Sequence, residues 1–486
     1  MNAFQSSPGQ RQPAPVHNLV LLAWMWAAFT LFHQGHDNHW ARTPLEGIET
    51  ASAVAVLVGP TRVTRFVLLT VFQAANLWWL MPEPTNHATF ALIVDLTIVV
   101  AAIGHVLSRG VRQGFDGAAL YRSFAPALRV SVILLYVFAT IAKINTAFLD
   151  PTQSCGAHHY TVLRGHLASV GIWLPGGQPF NVAAIAATLL IEGGIPALLA
   201  FTRTRPLGVL LALVFHYLLG LNPFYDFSSM IYALLVLFTP DHFSAVVEQT
   251  WLRSPLRGVI DRARERLVSI AGIVAVLAAG TVVALLVLQG NHWTRVFGPP
   301  YAVWPLYGAV ILVLAAPALI HRLRTRAITT LARPVGGAGV MMAAPLLVVL
   351  NGVCPYLGLK TDSSFAMFSN LRTERGFANH LVIPPGPQPF GFQSDLVRVV
   401  RSSDPMLARS ARAHELVPFF TLRNQVSGLA AAGRRNIAVV FERGGVVHDV
   451  RRAELDPELA TRYPFLLRKI LKFRPIDMMA PGRCTH

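Results

Sequence analysis

Apolar positions in this chain fall in long unbroken runs, not in the alternation of a half-buried sheet. Runs of about 15 to 25 residues predict roughly eleven membrane-spanning helices, near 18–33, 47–60, 65–81, 87–107, 128–149, 181–201, 206–222, 227–240, 267–289, 303–320 and 335–353. The second and eighth runs are short enough for a re-entrant or strongly tilted segment. After residue 353 the pattern changes: charge returns, Pro and Gly punctuate, and short alternating stretches replace the runs. Asn436 to Glu442 and Val446 to Val450 flank Arg443-Gly444-Gly445 and predict a β-hairpin, because paired glycines supply the positive φ of a tight turn. Helical periodicity covers Leu416 to Leu429 and Glu458 to Phe473. The expected fold class is an all-α polytopic membrane protein: a polar tail (1–15), a transmembrane domain (16–353) and a small C-terminal α+β domain (354–486).

Composition agrees with that class. Apolar residues make up 53% of 486 and charged residues 13%, with a mean hydropathy of +0.48. The net charge of +17 would suggest nucleic acid in a soluble protein. Here the arginines lie in short connections and in the tail, and no nucleic-acid motif accompanies them, so lipid surface and topology account for the charge. Arg62/Arg65, Arg109/Arg112/Arg122, Arg203/Arg205, Arg253/Arg257/Arg262/Arg264/Arg266 and Arg322/Arg324/Arg326 fall on one side of an eleven-span chain. The positive-inside rule makes that side cytoplasmic, with the N-terminus cytoplasmic and the C-terminal domain extracytoplasmic. Met1 to Val16 lacks the cationic start and short apolar core of a signal peptide, so the first helix is expected to stay as an anchor.

The opposite side gathers His33, His36, His39, His87, His158, His159, His166 and His292. His33 and His36 share a helix face at i, i+3, a spacing that suits a transition metal or haem. Spacing alone assembles no set of three or four ligands, so interfacial or hydrogen-bonded histidines are expected and no metal or haem. The long connection from Asp150 to Phe180, with Trp173, is expected to fold over the mouth of the bundle. The stretch GLKTDSSFAMFSNLRTE (358–374) is expected beside it as a stabilising cap, a substrate-gripping role being the alternative. Cys155, Cys354 and Cys484 all lie on this side; a disulfide is permitted there, but three cysteines cannot all pair and the partners are not readable. P-loop, dinucleotide fingerprint, nucleophile elbow and internal repeats are all missing from the sequence.

Four ionisable groups interrupt the runs: Asp95, Lys143, Glu192 and His216. Lys143 is one of only four lysines in a chain that otherwise uses arginine. A cation at mid-membrane costs roughly 3 kcal/mol, and lysine, unlike arginine, can lose its proton when desolvated. Snorkelling to the interface is the plain alternative. Glu192 would satisfy the charge, and Gly193, Gly194 and Pro196 beside it favour close packing or a bend.

Three segments then carry a likeness. YVFATIAKINTAFLDP (136–151), the helix around Glu192 and FHYLLGLNPFYDFSSMIYALLVLF (215–238) resemble vitamin K-dependent gamma-carboxylase and its bacterial relatives, the horizontally transferred transmembrane (HTTM) domain proteins. The resemblance covers roughly residues 15–245 and does not extend to the tail. It implies that Lys143 is the catalytic base and that His216 and Glu192 support it. It also implies a reduced vitamin K or menaquinone-type quinol as cofactor, made by oxygen into a strong base that lets a glutamate carbanion take up carbon dioxide. Such a quinol needs an apolar cavity, for which Trp78, Trp79, Phe138, Phe215, Phe224 and Phe227 are candidates. Membrane lipid, quinone and a protein or peptide substrate are the implied partners. The alternative is a non-catalytic transporter or assembly protein in which Lys143 and Glu192 form a structural pair.

Overall fold

The computed structural model describes residues 18–36, 40–110, 114–169, 171–240, 243–253, 300–325, 338–384, 386 and 388–484. His39, His292, the expected span at 267–289 and the arginines from 257 to 266 lie outside them. The described helices are α1 (Asn18–His36), α2 (Pro44–Val58), α3 (Val63–Leu80), α4 (Asn86–Arg109), α5 (Gly117–Ala142), the single turn α6 (Thr146–Leu149), α7 (Cys155–Ser169), α8 (Gln178–Ala200), α9 (Arg205–Leu221), α10 (Tyr225–Leu235), α11 (Phe243–Arg253), α12 (Pro300–Thr325), the turn α13 (Ala338–Met341) and α14 (Ala343–Leu357).

Six helical stretches among the described residues are long and apolar enough to cross a membrane: α3, α4, α5, α8, most of α12, and Gly339–Leu357. A seventh would count the sharply bent pair Tyr225–Phe238 and Phe243–Thr250 as one span. Among the described residues the expected eleven is therefore not confirmed. The run at 47–60 folds as the 15-residue α2, and that at 206–222 as the 17-residue α9. The run at 227–240 gives only 11 residues of α-helix before a 3-10 turn. Helix starts follow local chemistry. Thr43 and Glu46 form a reciprocal capping box on α2, with Pro44 in its first turn, and Asp116 caps α5 through the Ala119 N–H.

The bundle packs on large buried rings, Trp26, Phe29, Phe66, Phe90, Phe124, Tyr225, Tyr232 and Trp304 among them. Small residues set how close the helices come: a Cβ on Gly220 of α9 would lie 2.2 Å from the Trp304 ring of α12, and one on Gly352 of α14 would lie 2.5 Å from Phe138 of α5. Among the described residues, Arg62/Arg65, Arg109 and Arg203/Arg205 fall at the α2–α3, α4–α5 and α8–α9 connections, at one end of the bundle. The other end is capped.

The cap is built from α7 and a strap running from Lys360 to Glu374. The strap is almost wholly buried and holds Ser363, Phe365, Phe368 and Asn370 at left-handed φ, a conformation non-glycine residues keep only when their surroundings fix it. Those surroundings are specific: Ser363 Oγ donates to Pro84 O, Phe365 N–H to Asn86 Oδ1, and Cys155 N–H to Asn370 Oδ1. A disulfide between Cys155 and Cys484 ties α7 to the chain end across 329 residues, and Cys354 stays a free thiol.

The C-terminal domain is a five-stranded antiparallel sheet in the order β4-β3-β1-β2-β5, formed by β1 (Leu396–Ser402), β2 (Glu415–Pro418), β3 (Val439–Arg443), β4 (Val446–Val450) and β5 (Ile476–Asp477). Helices α15 (Pro405–Arg412) and α16 (Phe419–Ala431) and the short α17 (Pro457–Ala460) and α18 (Phe465–Ile470) accompany it. The hairpin turns at Gly444 (φ 58°) and Gly445 (φ 80°). Two expectations shift. The helix expected from Leu416 starts at Phe419, because the residue before Pro418 is steered to extended backbone. The helix expected over Glu458 to Phe473 is two pieces, with Pro464 capping the second. The last bundle helix also runs past residue 353 to Leu357, with Pro355 inside it.

Candidate functional site: a lysine and a glutamate on an apolar cavity

Lys143 sits where α5 ends at the capped face, as the helix C-cap, and is buried. Its Nζ lies 2.7 Å from Glu192 Oε2 of α8, and donates to Met367 O of the strap at 3.1 Å and Ala139 O at 3.3 Å. The ammonium and Oε2 are in close charge contact, and Nζ also reaches the two backbone carbonyls. Gly193 lets α8 approach α5, its missing Cβ 3.4 Å from Thr140. α8 continues through Pro196, which supplies no N–H to the Glu192 carbonyl four residues back.

His216 of α9 is buried, with Nε2 2.6 Å from Tyr136 Oη of α5. Phe215 and Phe227 stand edge-on to its ring. Lys143, Glu192, Tyr136 and His216 open on one cavity of about 260 Å³, whose other walls include Leu135, Ile191, Phe148, Phe215, Phe227 and Phe368. Among the described residues, His216 Nδ1 and Asn222 Oδ1 on that wall have no hydrogen-bond partner.

The expected site residues divide. Lys143, Glu192, His216, Phe215 and Phe227 come together on the cavity. Phe224 lines a neighbouring cavity, its ring tilted against Phe368 at 4.5 Å between ring centres. Phe138 packs under Gly352. Trp78 and Trp79 end α3 at 40% and 71% exposure, and their carbonyls accept from Lys469 of the tail, so they line no part of the Lys143 cavity. Sequence reading missed Tyr136, although its spacing of seven from Lys143 puts the two on one helix face. It also missed Phe148 and Phe368. Asp95 is a structural group, accepting from Trp26 Nε1 at 3.0 Å deep in the bundle.

The second cavity, about 540 Å³, holds the histidines: His33, His36, His87, His158 and His159 line it with Asp226 and Lys472. It shares Phe227, Phe368 and Met367 with the first. Outside the membrane helices, burial lowers the pKa of His166 on α7 and of His380 in the tail below the usual imidazole value.

Fold and site together define a bundle with helices long and apolar enough to cross a membrane, closed at one end by a cap that reaches into a buried lysine–glutamate site. Comparison of the chain with protein-family models, with curated proteins and with solved structures gave no match.

Proposed function

We propose that the chain is an integral membrane enzyme in which Lys143 is a base acting on a reduced vitamin K or menaquinone-type quinol, driving oxygen-dependent carboxylation or related carbanion chemistry. The observation that carries the reading is the cavity itself: a buried amine faces an apolar, aromatic-walled space instead of tight packing. A purely structural ion pair has no use for that space. The donor set suits a flat apolar ring with polar edges, since Phe215 and Phe227 offer faces while Lys143 and His216 offer polar atoms.

A quinol bound there would supply, with oxygen, the strong base of the overall reaction. The protein's own residues do the rest. Passing a proton from the Lys143 ammonium to Glu192 leaves a neutral amine beside a neutral acid, two forms that a low-dielectric cavity tolerates. That amine is then free to accept a proton from a hydroxyl edge. His216, held by Tyr136, presents Nδ1 as an acceptor or donor for the opposite polar edge. Met367 and Ala139 carbonyls hold Nζ in place while its charge changes.

In this reading the capped end faces the extracytoplasmic side and the N-terminus is cytoplasmic. Arginine-rich connections at the opposite end and the Cys155–Cys484 disulfide at the cap support that orientation. The close Lys143–Glu192 contact and the two carbonyls on Nζ favour the second reading, a transporter or assembly protein with a structural pair. Oxygen-dependent epoxidation of reduced menaquinone by purified protein separates them: turnover in wild type that vanishes in a folded Lys143→Met variant supports the base, and no turnover in either supports the pair.

A further inference from the structure

His33 near the end of α1, His87 in the first turn of α4 and Asp226 in the first turn of α10 converge at the histidine-lined cavity. Asp226 Oδ2 lies 2.8 Å from His87 Nε2 and 3.4 Å from His33 Nδ1. One ligating atom from each of the three lies within 4.8 Å of the others. A tetrahedral ion with bonds of about 2.0–2.1 Å holds its ligand atoms roughly 3.3 Å apart, so the three need little movement to share one.

Charge balance points the same way. Asp226 is 4% exposed, and the groups in contact with its Oδ2 are the His87 and His33 imidazoles. A buried carboxylate in such surroundings needs a protonated imidazole or a bound cation. The outer contacts are those that orient ligands in metal centres. Asp226 Oδ1 is occupied by the Phe227 N–H at 2.7 Å, which directs Oδ2 to the imidazoles. Thr85 Oγ1 lies beside the His87 ring, 3.1 Å from Nδ1 and 3.3 Å from Nε2, while Nε2 also faces Asp226. Glu49 lies within electrostatic reach of His33. The adjoining cavity gives an entry path and room for further ligands.

We propose that His33, His87 and Asp226 form a binding site for a divalent first-row transition metal of the zinc or ferrous class. Two imidazoles and one carboxylate are the borderline donor set those ions take, whereas calcium and magnesium require more oxygens. Spacing in the sequence singled out only His33 of the three, since His87 and Asp226 come from helices remote from the His33–His36 pair. The other cysteine and histidine grouping, Cys155, His159 and Cys484, is excluded since both thiols are spent in the disulfide. The proposal stands independently of the role assigned to Lys143.

The test uses the purified full chain in detergent, stripped with chelator, reloaded with Zn²⁺ or Co²⁺ and desalted. About one zinc per chain by elemental analysis is expected, together with visible d–d bands for cobalt in a four- or five-coordinate site. His87→Ala and Asp226→Asn lose both signals, while His158→Ala, which lines the same cavity outside the set, keeps them. Zinc raises the Tm of wild type in a dose-dependent way and leaves that of Asp226→Asn unmoved, provided the variant elutes as a monodisperse, disulfide-bonded species. Wild type that retains no more zinc than His87→Ala, or equal loss in His158→Ala, overturns the proposal and leaves an imidazolium–aspartate contact.

Discussion

Lys143 Nζ and Glu192 Oε2 stand 2.7 Å apart, with side chains 4% and 13% exposed, at the wall of an apolar cavity. Breaking a buried pair strands one charge and costs about 3–5 kcal/mol, whereas replacing both partners with apolar groups is often neutral. Lys143→Met and Glu192→Leu are therefore each expected to lower the unfolding midpoint strongly, and Lys143→Met/Glu192→Leu to recover most of the loss. If the double variant is as stable as wild type yet turns over no quinol, stability and catalysis have been separated. A double variant with full turnover refutes the base assignment.

The Tyr136 hydroxyl and His216 Nε2, 2.6 Å apart, form the second polar contact on that wall. Tyr136→Phe leaves the buried imidazole without its partner, at a cost of about 1–3 kcal/mol. His216→Phe removes the polar atom altogether and is expected to be better tolerated in a heat-denaturation series. In a quinol assay both lower turnover. Equal turnover in His216→Phe and wild type means the pair is structural.

Which of this was legible in the sequence follows from the range of each signal. A lone cation in one apolar run and a lone anion in another call for each other, so the Lys143–Glu192 contact could be read without coordinates. The hairpin was legible because Gly444-Gly445 specifies a turn locally. The aromatic placements were not legible where a ring's neighbours are decided by the next helix: nothing in the sequence says that Phe138 meets Gly352, or that Trp78 and Trp79 lie exposed beside Lys469. The strap is the extreme case. Met367 reaches Lys143 across 224 residues, and its conformation rests on left-handed non-glycine backbone that no propensity predicts. Span number was harder to read, because among the described residues α2, α9 and α10 are apolar enough to resemble spans yet are only 15, 17 and 11 residues long.

The Cys155–Cys484 bond fastens the chain end to α7, where Asn370 Nδ2 also donates to Gln153 O and Gly482 O. Removing a cross-link of long sequence separation costs about 2–4 kcal/mol. Cys484→Ser is expected to lower Tm, and wild type to fall to the same value in reductant. Hydrogen exchange then rises first in the strap, whose contacts depend on that anchorage. Unchanged exchange there would show that the strap is held by its own hydrogen bonds alone.

Lys360 opens the strap and is 1% exposed. Burial draws its pKa down to about 8 from 10.5, against the opposing pull of Cys354 and Asp362 and with a smaller push from Lys472. The sign follows from proton counting: between those two values the unfolded chain holds a proton that the folded chain has released, so stability rises with pH across that window. Below pH 8 the folded protein carries the whole penalty of the buried ammonium, on the order of 3 kcal/mol. Lys360→Met removes the penalty, so the variant is expected to be more stable than wild type at pH 7 and to converge with it toward pH 10. The measurement is the difference in unfolding midpoint between variant and wild type across pH 7 to 10, which cancels the titrations they share. A difference that stays constant with pH would show that Lys360 keeps its proton in the folded state.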